Sequence, residues 1–114
     1  MSPPVRLAFV AAAILVAATL RPALADAIDG HWCREGRHLE ISGPQITTPG
    51  RNRAQGEYSR HAFNYQVPAN EPGSGAMVWM VLLSEEEMQL AVGKRPHEQG
   101  ATAETWRRCP APTS

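Results

Sequence analysis

The chain has 114 residues, with eleven Lys and Arg against eleven Asp and Glu, and its apolar share of 43% is unevenly spread. Eighteen of the first 25 residues are apolar but only 31 of the following 89, which leaves one small, rather polar domain and no room for a second. Without Arg6 and Arg21 the later part carries nine basic and eleven acidic side chains, a net charge of −2 (nine minus eleven). That balance excludes nucleic acid and anionic membrane surfaces as expected partners, because both need a net basic face.

Residues 1–25 read as a secretory signal peptide. Arg6 supplies the positive start, Leu7 to Ala18 is an unbroken apolar run of twelve, and Ala23-Leu24-Ala25 is a small-x-small cleavage site before Asp26. Twelve residues fall short of the roughly 20 that cross a bilayer as a helix, so no stable membrane insertion is expected. Residues 26–114 are therefore predicted to form a single small β domain, periplasmic or secreted. Two cysteines, Cys33 and Cys109, allow one disulfide, which an oxidising compartment favours. The competing reading, a metal pair with His31 two residues before Cys33, lacks a second close pair of ligands beside Cys109.

Along the later part, short segments of strand character alternate with turn signals. Gly30 to Cys33 holds Trp32. Arg37 to Ile41 alternates, with Leu39 and Ile41 on one face, until Ser42-Gly43-Pro44 breaks it. Gln45 to Thr48 is a β-branched piece, and Arg51 to Gln55 reads as a polar loop. Glu57 to Val67 carries Tyr58, then Phe63, Tyr65 and Val67 at period two, and the parity change predicts a bulge or tight turn near Ser59 to His61. Pro68 to Gly75 is the clearest loop. Ala76 to Leu83 is apolar throughout. Ser84 to Glu87 is an acidic turn, Met88, Leu90 and Val92 alternate, Gly93 to Gly100 is a second polar loop, and Ala103 to Cys109 forms a last strand around Trp106. The expected fold is all-β: a small antiparallel meander closed into a barrel or sandwich and stapled by one disulfide. A helix is the minor alternative at Ser84 to Val92, where Ser84 and Glu87 match a capping box.

Gly30-His31-Trp32 on the first strand and Trp106-Arg107 on the last are similar to the signature of lipocalin-like small barrels, in which an N-terminal Trp packs under an Arg of the final strand. Asp29 to Cys109 also looks like a group of uncharacterised small secreted bacterial proteins, a likeness that implies export and a compact β fold but no activity. Gly56-Glu57-Tyr58 faintly resembles the Ser-Gly-x-x-Tyr motif of periplasmic C-type lysozyme inhibitors, with Gln55 at the Ser position and the spacing one residue shorter.

Catalytic patterns are weak. Pro72-Gly73-Ser74-Gly75 has neither the spacing nor the helix of a nucleophile elbow, and Glu85 to Glu87 read as a solvated turn. The histidines are scattered without metal-pair spacing, a transition-metal site at His31 or His38 is a further metal reading, and no cofactor is expected. Arg34, Arg37 and Arg107 are candidates for anion binding if the first turn and the last strand converge. An eight-residue apolar strand has one face too many for a half-solvated meander, so Met77, Trp79 and Val81 are assigned to an outer set that marks an interface, with a homodimer as one form of it. The function expected is non-catalytic binding of an unidentified protein or small-molecule ligand. Its alternatives are inhibition of a lysozyme-type cell-wall hydrolase or a protease through Pro68 to Gly75, and carriage of a metal or small ligand.

Overall fold

The computed structural model describes residues 27–110, so the signal peptide assigned to residues 1–25 lies outside the described residues. Nine strands follow one another: β1 (Gly30–Arg34), β2 (Arg37–Ser42), β3 (Gln45–Thr47), β4 (Arg53–Gln55), β5 (Glu57–Ser59), β6 (Ala62–Gln66), β7 (Met77–Leu82), β8 (Glu87–Val92) and β9 (Glu104–Arg108). They form one antiparallel sheet in the order β4-β3-β2-β1-β9-β8-β7-β6-β5. Every strand pairs with its neighbours in sequence except β4 and β5, which do not pair with each other, and β1 also pairs with β9 through Trp32 opposite Arg108 and Cys33 opposite Arg107.

The two outermost strands of that order, β4 and β5, are separated only by Gly56. One bent strand therefore pairs with β3 by its first half and with β6 by its second, and the sheet curls into a nearly closed barrel. Glycine at the bend is required by space, since a Cβ there would lie 2.6 Å from the Phe63 ring as well as against the Asn64 carbonyl. The loop expected over Arg51 to Gln55 is corrected: its second half is β4, with Ala54 opposite Ile46 and packed against the core. Ala54 is the strand's one inward residue, too small to signal a strand by pattern. The break foreseen near Ser59 to His61 is a tight turn between β5 and β6. The helical alternative at Ser84 to Val92 is likewise replaced by a turn and β8, whose Met88 and Leu90 point into the core.

Inward positions at period two fill the barrel: Trp32, Leu39, Ile41, Ile46, Phe63, Tyr65, Val78, Met80, Met88, Leu90 and Trp106, with Ile28 from the segment before β1. That segment seals one end. Trp32 Nε1 donates to the Ile28 carbonyl at 2.9 Å. The Arg108 guanidinium lies 4.1 Å over the Trp32 ring and donates to the carbonyls of Ala27 (2.7 Å), Asp29 and Glu85 (2.7 Å). The Asp29 carboxylate accepts from the Gly43 amide at 2.9 Å and from the Tyr58 hydroxyl. The Cys33–Cys109 disulfide joins β1 to the chain just past β9.

Candidate ligand-binding site at the barrel mouth

The opposite end of the barrel is open. The 35–36 turn and the connections 48–52, 67–76 and 93–103 gather there, around a cavity of about 460 Å³ whose wall runs down to Leu90, Val78 and Trp106. Cavities of this size hold small organic molecules, and this wall is largely apolar.

Its charged groups are already engaged within the protein. Arg37 donates from Nη2 to Glu104 Oε2 at 2.9 Å and sits 4.9 Å from the centre of the Trp106 ring. Trp106 Nε1 donates to the other Glu104 oxygen at 3.1 Å. Arg34 donates to the Thr105 carbonyl at 3.0 Å, with its Nε 3.8 Å from Glu104. Burial works against the charged form of Glu104, but the hydrogen bonds from Arg37 and Trp106 and the two guanidinium charges outweigh it and hold its carboxyl below the usual range. Across the mouth, Glu71 reaches from the 67–76 connection to the 48–52 connection, where it accepts from the Thr48 hydroxyl and from Asn52 Nδ2 at 2.6 Å. Gly50 permits this approach, because a Cβ would lie 2.7 Å from Glu71 Cγ. The two loops are thereby clasped over one side of the opening.

Tyr65 supplies the remaining polar group of the wall. Burial, reinforced by the charge of Glu71, pushes its phenol up to about 12, so it stays a neutral donor throughout the physiological range. Its hydroxyl bonds to no described residue and is available to a ligand. Apolar walls, charged groups already engaged by protein partners and one spare hydroxyl make a surface suited to binding. The lining holds no nucleophile beside a base.

The predicted anion cluster is brought together only in part. Arg34 and Arg37 meet on Glu104, whereas Arg107 faces outward and pairs with Glu87 at 2.5 Å. Strand alternation separates them, since Trp106 and Arg108 take the inward positions on either side of Arg107. The arginine that covers Trp32 is accordingly Arg108. Met77, Trp79 and Val81 lie on the outer face of β7, half-buried, with Arg95 reaching 4.3 Å over the Trp79 ring. Tyr65, Glu71 and Glu104 were not foreseen as site residues. Tyr65 reads as core from its alternation, and nothing in Pro68 to Gly75 tells that its one carboxylate turns inward.

Set beside known protein families, curated proteins and solved structures, the chain matches none.

Proposed function

We propose that the protein is a non-catalytic binding protein of the periplasm or the cell exterior, and that its barrel mouth takes a small, predominantly apolar molecule bearing one hydrogen-bond acceptor. The open cavity carries this reading: its wall is apolar, Arg37 is spent on Glu104, Glu71 is held by hydrogen bonds from Thr48 and Asn52, and the Tyr65 hydroxyl is left to bond an acceptor. The disulfide supports the location, because such bonds persist outside the cytoplasm. Inhibition of a hydrolase or protease has less support, since Glu71, the one charged side chain of Pro68 to Gly75, is engaged by Thr48 and Asn52.

Titration with an uncharged naphthylamine dye tests the proposal, read by dye emission and by quenching of tryptophan. Saturable one-to-one binding is expected. Val92 lies at the rim and is 59% exposed, so Val92→Trp blocks the mouth without disturbing the core and should weaken binding at least tenfold. Equal binding by this variant, or stoichiometric inhibition of lysozyme by a protein that takes up no dye, overturns it.

A further inference from the structure

On the outer face of the β1–β2 hairpin three polar side chains meet. His31 lies opposite Glu40 in the ladder, and His38 lies two residues before Glu40 on the same face. His31 Nδ1 and His38 Nε2 are 2.8 Å apart, and His31 Nε2 is 3.4 Å from Glu40 Oε2. The ring planes differ by 5° with centroids 5.0 Å apart, a separation that is the N···N distance plus two ring radii. The imidazoles therefore meet edge to edge, with one nitrogen donating to the other.

The His31 tautomer with its hydrogen on Nε2 presents that hydrogen to Glu40, which only accepts, and leaves Nδ1 as a lone pair toward His38. This is the arrangement in which a metal-binding histidine is oriented by a carboxylate on its far side. Metal–nitrogen bonds of about 2.0–2.1 Å at angles between square and tetrahedral place two nitrogens roughly 2.8–3.4 Å apart, which is the span already present here. The backbone beneath is held firmly. A two-residue turn joins the strands, Cys33 of the disulfide lies opposite His38, and the Cys109 amide donates to the His31 carbonyl at 3.1 Å. The side chains above are exposed, so small ring rotations turn both lone pairs toward one ion.

We infer that His31 and His38 form a surface site for a divalent late first-row transition metal ion, Cu²⁺ above all, with Glu40 as the positioning residue for His31. On binding, the hydrogen between the rings moves to His38 Nδ1 by tautomerisation through solvent, and both imidazoles enter as neutral ligands. Among the described residues no three His, Cys, Asp or Glu side chains form a group able to hold a metal, so water completes the coordination. Two nitrogen donors favour Cu²⁺ over Zn²⁺ by the usual order of affinities. The site lies on the outer face of the hairpin, whereas the cavity is lined from the inner face, and it does not depend on the ligand proposed there.

The test is titration of the untagged, exported protein with Cu²⁺ alone, followed by electron paramagnetic resonance. One ion per chain is expected, with hyperfine coupling to two imidazole nitrogens. His31→Ala and His38→Ala should each weaken binding at least tenfold, and Glu40→Gln about tenfold. The double variant His61→Ala/His97→Ala should bind as the wild type does. Circular dichroism checks that each variant is folded, and the wild-type spectrum needs no variant at all. Coupling to fewer than two imidazoles, or undiminished binding in the His31→Ala/His38→Ala double variant, overturns the assignment.

Discussion

Arg107 and Arg108 are neighbours of one chemistry, and the alternation of β9 gives them unequal work. Arg107 is 68% exposed and holds a surface ion pair with Glu87, an interaction of small value in water. Arg108 lies across the sealed end, covers Trp32 and donates to three carbonyls, two of them partly buried. Arg107→Ala should therefore change unfolding free energy by no more than about 0.5 kcal/mol, and Arg108→Ala should lower it by about 3 kcal/mol. Urea denaturation of both variants checks this, and equal effects would mean that Arg108 does not seal the end. Tyr65 makes a second prediction at this scale. Its phenol ionises near 12 in the folded protein against an ordinary 10, so the unfolded chain loses this proton first as pH rises. The stability contributed is complete below pH 10 and is lost between pH 10 and 12. Tyr65→Phe should flatten that decline in a series of alkaline denaturation curves.

Among the elements, β4 and β5 decide whether the sheet is a barrel. They are three residues each, joined by Gly56, and they have little apolar surface of their own. Their pairing with β3 and β6 comes from the neighbours they bridge. Gly56→Ala drives a methyl group against the Phe63 ring and the Asn64 carbonyl, and should cost about 1–3 kcal/mol. Amide hydrogen exchange should show the loss first in β4 and β5, because those strands then become open edges. Uniform loss across all nine strands would place the closure elsewhere. The strand β7 was legible for the opposite reason: it is apolar at every position, and its inward set of Val78 and Met80 follows from period two alone. What covers the outward set was not legible, since Arg95 comes to Trp79 from another connection.

For the whole molecule, the disulfide closes a loop of 76 residues, nearly all of the described chain. In the chain-entropy model such a loop is worth about 4 kcal/mol, comparable to the full stability of a small domain. Reduction should lower the melting temperature by roughly 15 °C or more, given a shift of about 4–8 °C per kcal/mol at this size. An unchanged melting temperature would mean that the β1–β9 ladder closes the barrel unaided.

The sequence by itself determined the all-β class, the strand positions with strong alternation, and the pairing of Cys33 with Cys109. These follow from the two-residue period of a strand and from a count of two cysteines, both of which are local or unique in the chain. The tertiary structure alone decided that β4 exists, that Arg34 and Arg37 share Glu104 while Arg107 turns away, and that Glu71 is drawn onto Thr48 and Asn52. It also set His31 beside His38. Each of these depends on which residues from distant segments reach the same end or face of the barrel, and that is settled by sheet register and closure, for which short polar segments carry no periodic signal.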